Sequence, residues 1–567
     1  MRTAAVPVRM GSRGCTDLVK GLEVAALNNR PGDINGTASE GSEVSGSTQS
    51  DNRLNRLASR VGNCFPVLGL EKANLEAMNS SNATPLEVAV KNNCVSSLKA
   101  LLSSGANVNK RLFRGNTYLH IAAAGGHNDA LEVLLKEGME ANKKNHLDET
   151  PLFLSVRGGN VRAVVMLLEK GADTGMLPEG SKSLLEMAIE SQNVEMFKAL
   201  VKVGMDLKFK DGDSISHLVA RFGNAEMLKV IKDINLPVNV KNQKGLTPLH
   251  LASNPSILNT LIGMGLELND RTEKGETALY LASAKGSVEL VKTLCQKDAA
   301  VDLQNNEGTS ALMIALKNFQ EDIATYLLHN GADPKIKDKK GRYSLHYAAE
   351  GDCDGLVTTL LEAGAKVDVQ DDYGETPAFV AAVHLKSAVL QQLVQNGADL
   401  TLRDRNGDGW GILHREAQSG HVEVVKVLLN AGLAVNIKGQ WQWTALDLAV
   451  REGNIETIKL LLDAGAGLDS KDPNQWSAIH HAACRGDTAV MKALLDRGAD
   501  PGAQSADGLT PLMEASSYGS LELVQLLVDY GAPVNARDNS GSTALCFATN
   551  NNHRAVAAYL RSKGGVK

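Results

Sequence analysis

The chain has 567 residues, with 59 Lys+Arg against 65 Asp+Glu and a formal net charge of −6. That mild acidity excludes the positive field of a nucleic-acid binder, and no run of about 18 apolar residues is present to span a membrane. Hydrophobic residues make up 43% of the chain but aromatics only 4%, so the core is built from Leu, Ala and Val, which suits small repeated helices better than large two-layer domains.

At the N-terminus Arg2, Arg9 and Arg13 stand without an apolar stretch behind them, so no ordinary secretory signal is expected. Thr16 to Leu27 reads as a capped amphipathic helix. Residues 31–52 are rich in Gly, Ser and Thr with no apolar pattern and read as a disordered linker, so 1–52 forms a separate N-terminal segment. Residues 53–78 read as a degenerate cap of one or two helices. The seven Cys residues are scattered, odd in number and free of any C-x-x-C spacing. They predict no disulfide framework and a reducing compartment, taken as the cytoplasm with the nucleus as an alternative; the acid-free first 16 residues leave an organelle transit peptide as the lesser reading.

From residue 79 onward the chain repeats itself. Thr84-Pro-Leu, Thr150-Pro-Leu, Thr247-Pro-Leu-His250 and Thr510-Pro-Leu are copies of one start, with Thr277-Ala-Leu, Thr444-Ala-Leu and Thr543-Ala-Leu as variants. Anchored on that Thr, copies begin at 84, 117, 150, 183, 214, 247, 277, 310, 343, 376, 411, 444, 477, 510 and 543, and most intervals are 33 residues. Thr or Ser is the N-cap, and Pro at the first helical position needs no amide partner. A narrow Leu/Ala stripe follows. Gly126, Gly286, Gly420, Gly486 and Gly519 end the first helix. A second helix such as Val422 to Leu429 ends at a Gly, as at Gly432 and Gly465. Asp-x-x-Gly then makes a projecting turn, as at Asp371 to Gly374.

This turn-helix-helix unit with its T-P-L-H start resembles the ankyrin repeat, in about fifteen copies. The resemblance implies an all-α solenoid of helix-turn-helix units with projecting β-hairpin loops. The loops and first helices would line a concave face. Repeats 1–5 fall in 79–246 and repeats 6–15 in 247–567, the last closed by a polar cap of Asn550, Asn551, Asn552, Arg554, Arg561 and Lys563. Repeat 6 is three residues short around Ser253-Asn-Pro-Ser256. A weakened interface or a bend is expected across 205–265, with neutral drift as the alternative. Asp404 to Gly409 lengthens one loop by two residues. It resembles the opening of a calcium loop, but Arg415 stands where a bidentate Glu would be needed, so a longer finger is the better reading.

No catalytic, cofactor-binding or metal-binding set is expected: H-E-x-x-H, the P-loop and G-x-S-x-G are all absent. Six His residues (His120, His217, His250, His346, His414, His480) sit at the T-P-L-H place, where an imidazole ties the loop backbone to the helix start. The four tryptophans are more informative. Trp410, Trp443 and Trp476 each precede a repeat anchor at a spacing of 33, and Trp441 lies two residues before Trp443. The resemblance places those positions on the concave face, with Arg451, Arg485 and Tyr518 nearby at the ends of first helices. Two compatible readings follow. A stacked indole ladder grips a protein partner, since Trp, Tyr and Arg dominate binding hot spots, or the indoles pack over neighbouring loops. The function expected is a monomeric, non-catalytic scaffold or adaptor that binds a protein partner, with an extended peptide segment as one form of that partner. The alternative is the recognition part of a larger system, such as a membrane–cytoskeleton linker or a ubiquitin-ligase substrate adaptor.

Overall fold

The computed structural model describes residues 75, 76, 78, 79, 82–204, 209–405 and 409–567. The expected helix at 16–27, the linker at 31–52, most of the 53–78 cap and Asn406 to Asp408 of the long finger lie outside the described residues. The chain divides into two compact units, 1–110 and 111–567.

The described part of the first unit is one helix pair, Pro85–Lys91 and Val95–Ser103. Thr84 starts it as the sequence dictates. Its Oγ1 accepts from the amide of Glu87 at 3.2 Å, and Pro85 fills the first helical position. Leu86, Val90, Leu98 and Leu101 are buried. Lys110 and Glu76 pair at 2.9 Å beside the following loop.

The second unit repeats that pair along its length. In its middle, first helices stack on first helices: Ile412–Ser419, Ala445–Glu452 and Ala478–Arg485. Second helices stack likewise: Val422–Asn430, Ile455–Asp463 and Thr488–Asp496. The alanine stripe explains the spacing. Ala449, Ala482 and Ala483 are fully buried, and their small side chains let backbones approach. Gly432 and Gly465 close the second helices at φ 85°, a left-handed conformation that Gly adopts without steric penalty.

The loops are held by buried acceptors rather than by a sheet. Among the described residues no β-strand forms, and only isolated antiparallel bridges occur, at Lys337–Tyr343 and Arg403–Gly411. An Asp or Asn at most loop bases does the folding, with Thr272 and Ser505 in its place in two others. Asp338 Oδ1 accepts from the amides of Lys340 and Arg342, both at 2.8 Å, and Asp371 does the same for Tyr373 and Glu375 at 2.9 Å. Successive loop tips then join by a backbone bond. The amide of Lys339 donates to the carbonyl of Glu307 (3.0 Å), that of Asp372 to Lys340 (3.0 Å), and that of Ala506 to Asn474 (3.0 Å).

The six T-P-L-H histidines add a second tie. In each, the cap residue's amide donates to Nδ1, which leaves the proton on Nε2 to donate to a carbonyl of the next loop. For His346 these partners are Tyr343 and Glu375, at 3.1 and 3.0 Å. For His414 the acceptor is the carbonyl of Trp443 at 3.1 Å. Burial holds all six below the usual imidazole range, so they are neutral.

The short repeat loses its first helix. Thr247 still caps, but Pro248–Leu251 is a single 3₁₀ turn, and Asn254 starts the second helix Pro255–Gly263 directly. The three missing residues are taken from the first helix, so the second keeps its length. At the other end, Asn550, Asn551, Asn552, Arg554, Arg561 and Lys563 are all exposed, while Val556, Ala557 and Leu560 face the array.

Candidate functional site

The four tryptophans occupy three consecutive loops. Most loops place Gly at the left-handed position before the last loop residue, as at Gly341, Gly374 and, in the Trp410 loop, Gly409; in the next two loops Gln442 (φ 60°) and Gln475 (φ 58°) stand there, as Asp148 (φ 56°) does earlier in the chain. In the Trp443 loop Gly439 replaces the Asp or Asn at the base, so no side chain anchors it. Trp441 and Gln442 are both left-handed, a pairing also found at Arg114–Gly115 and Asp211–Gly212. In the Trp476 loop Asp472 keeps the anchor, accepting from Asn474 and Trp476 at 2.8 and 2.9 Å, but the next residue is Pro473. Proline has no amide hydrogen, so the tip-to-tip bond to the carbonyl of Trp441 cannot form. The imidazole tie is missing too. Asp447 takes the His place, capping Thr444 at 2.9 Å, with burial pushing its carboxyl up to about 6.

Side-chain rings join the two loops instead. His481 lies between Trp443 and Trp476, its centroid 5.1 Å from one indole and 5.3 Å from the other, at 47° and 52°. Arg451 covers Trp443 with its guanidinium carbon 5.1 Å from the ring. Among the described residues no indole stacks on another, so the ladder is a Trp–His–Trp sandwich. His481 is largely buried. Its Nε2 has no hydrogen-bond partner and lies 3.8 Å from Asp472 Oδ2. Burial pushes its pKa down to about 4 despite that carboxylate, so it is a neutral packing ring near pH 7.

Trp410 is half-buried in a different setting. Its Cδ1 would lie 3.0 Å from a Cβ on Gly439, so the missing side chain there makes room for the indole. Arg415 stacks on it at 5.8 Å and is held by Asp404 through Nη2 (2.6 Å) and Nε (3.1 Å). Trp441 stands apart: it is 62% exposed at the loop tip and makes no ring contact among the described residues. Arg485 donates to the carbonyl of Arg451 at 2.8 Å, so the two guanidinium groups sit at adjoining helix ends. Tyr518 is exposed at the next helix end.

The sequence pattern missed His481 and Arg415, although its own register held the signal. Both are the fourth residue after the anchor, where Ile121, Leu154, Leu218, Ile314 and Leu448 are apolar.

Nothing in this arrangement pairs a nucleophile with a base. Cys484 beside Glu514 is pushed up to about 12 by burial, which keeps it a thiol. Among the described residues no cluster of three His, Cys, Asp or Glu side chains is placed to hold a metal, and no helix is long and apolar enough to cross a membrane.

Helix pairs capped by Thr-Pro, stacked like on like and tied through imidazoles and loop tips, define a helical repeat array. The family model described as ankyrin repeats matches residues 86–177, 184–271, 253–338, 330–404, 385–472 and 479–567. The chain belongs to the ankyrin-repeat family, whose repeats generally mediate protein–protein interaction. A search of curated proteins finds no match.

Proposed function

We propose that this protein is a non-catalytic scaffold or adaptor, monomeric and cytoplasmic, that binds a protein partner on the concave side of repeats 11–13. Trp410, Trp441, Trp443, Trp476, Arg451, Arg485 and Tyr518 form the contact, and the partner presents an extended segment to it. The single observation that carries this reading is Trp441. It is a large apolar side chain, 62% exposed and without a ring contact among the described residues, on a left-handed loop position of the kind that Arg114 and Asp211 also occupy. An exposed indole at a loop tip is what a recognition loop offers and what a packing residue does not.

The roles divide accordingly. Trp443 and Trp476 hold the floor of the surface through His481, so their removal lowers stability as well as affinity. Trp441 is the clean probe. The test is an affinity capture from cell extract with wild type beside a Trp441→Ala variant of unchanged melting temperature. Truncating one such anchor weakens binding by about 2 kcal/mol or more, so specific partners are depleted from the variant. Recovery of every partner in wild-type yield would refute the reading.

A further inference from the structure

A second surface lies in repeats 8–10, on the turns between the two helices of each unit rather than on the tryptophan loops. The turn between the two helices of a unit passes through a left-handed residue. Gly126, Gly159, Gly286, Gly420, Gly453, Gly486 and Gly519 fill it in seven repeats, and polar residues such as Asn93, Gln192, Asp352 and Asn552 fill it in others. Two repeats instead place bulky apolar residues there: Phe319 and Leu385, each at φ 60°. An aromatic or branched side chain is a poor occupant of that region. Burial does not compensate, since Phe319 is 59% exposed, Leu385 is 53% exposed and the neighbouring Val383 is exposed as well.

Charge surrounds this patch on one side of the balance. Lys386 Nζ sits 5.6 Å from the centre of the Phe319 ring and 3.5 Å from Asp352 Oδ2, which ties the three turns together. Glu321, Asp322 and Asp354 are exposed and form no ion pair among the described residues. Glu321 leans onto the middle turn, its Oε2 3.6 Å from where a Cβ on Gly355 would be. Of the nearby cations, Lys317 is engaged by Glu350 at 3.5 Å and Lys386 by Asp352, and His384 stands exposed beside Leu385.

We propose that this patch docks a basic segment of a partner protein, whose apolar side chains cover Phe319, Val383 and Leu385 while its Lys or Arg residues pair with Glu321, Asp322 and Asp354. An exposed apolar patch rimmed by like charges marks an interaction site, and the sign of the rim selects the partner. An acidic segment or an anionic lipid surface is repelled by the same carboxylates. The site is independent of the tryptophan surface.

The test uses the full chain and a fluorescein-labelled peptide of about fifteen residues alternating Leu and Lys, a generic basic amphipath, read by fluorescence anisotropy. Phe319→Gly with Leu385→Gly is expected to weaken this peptide about tenfold or more while leaving the melting temperature equal or higher, because glycine relieves both turns. Glu321→Lys with Asp354→Lys gives a similar loss and flattens the salt dependence. Trp441→Ala retains wild-type affinity for this peptide. Full affinity in the double-glycine variant overturns the proposal, and so does equal binding of a Leu/Glu peptide. Sedimentation showing self-association that the double-glycine variant abolishes also overturns it, since the occupant is then a second copy.

Discussion

Glu416 is the sharpest local conflict in the array, and it gives a quantitative test. It is the fifth residue after its anchor, where Ala122, Ala188, Ala282, Ala315, Ala348, Ala449 and Ala482 form the tight stripe between first helices. Glu416 is 1% exposed, and its Oε2 accepts from His421 Nδ1 at 2.7 Å. Burial is the largest influence on its carboxyl and raises its pKa, against the opposing pull of His421. A carboxyl raised on folding contributes stability below its unfolded value, about 4.5, and loses it as pH rises through the folded value. Near pH 7 Glu416 is therefore a net cost. Removing a buried carboxylate removes its desolvation cost, a gain of about 1–4 kcal/mol where the partner left behind can be rehydrated, as His421, a third exposed, can. Deleting the γ-methylene in Glu416→Ala takes back roughly 0.8 kcal/mol. The expected result at pH 7 is a change between about zero and 3 kcal/mol of stabilisation, shrinking toward pH 4.5. His421→Ala leaves the buried carboxylate alone. The loss approaches about 3 kcal/mol, less than a fully enclosed pair because His421 is itself a third exposed and water reaches its place. Guanidinium unfolding followed by circular dichroism measures both. A loss above about 1 kcal/mol for Glu416→Ala at pH 7, or a gain independent of pH, would show the reasoning wrong.

Acid weakens the array through its imidazoles. The six tie histidines and His481 have folded pKa values below the unfolded 6.5, so the unfolded chain takes up protons first and stability falls as pH drops below about 6.5. His481, lowered to about 4, accounts for on the order of 3 kcal/mol by pH 4. His481→Leu therefore flattens the acid limb of a denaturation-midpoint profile, and an unchanged limb contradicts the assignment. His346→Ala orphans the amide of Tyr343 and leaves the carbonyl of Glu375 without its imidazole donor, a loss of about 2–4 kcal/mol. Hydrogen exchange at Tyr343 reads it locally, and retained protection there argues that the tie is dispensable. Gln475→Gly relieves a left-handed non-glycine residue and raises stability by about 1 kcal/mol, visible as a higher melting temperature. A lower one means that the Gln side chain makes an essential contact.

The fold was legible because its signals are local. Thr or Ser at the cap, Pro at the first helical position and Gly at the left-handed stop act within a few residues of themselves, so the register follows from reading along the chain. The T-P-L-H imidazole was legible for the same reason, its first bond being to its own cap. The site was legible only in part. The spacing of Trp410, Trp443 and Trp476 marked the loops, but the identity of what lies between two of them depends on the fourth residue of a different helix. His480 and His481 are neighbours in sequence with opposite fates. His480 turns to the carbonyls of Ala503 and Leu509, and His481 turns into the indoles. Helical periodicity separates their directions by about 100°, and only the neighbouring loops decide what each meets. Phe319 and Leu385 were not singled out from the sequence, because their exposure is a property of the assembled turns.

The energetics of the tryptophan loops bear on why they exist. Left-handed Trp441, Gln442 and Gln475 disfavour the loops by about 1–2 kcal/mol each, and the bond that Pro473 cannot make removes about 1 kcal/mol. Against this, two Trp–His contacts contribute about 0.5–1.5 kcal/mol each and the Arg451–Trp443 contact about 0.5–1 kcal/mol. The rings offset part of the strain and not all of it, so the remainder is carried by the helices on either side. A loop selected for stability alone would restore Gly at 442 and 475 and an amide at 473, as most neighbours do. Trp441 takes part in none of the compensating contacts. Under the proposed function, a partner contact at Trp441 supplies the compensation that the loop itself does not.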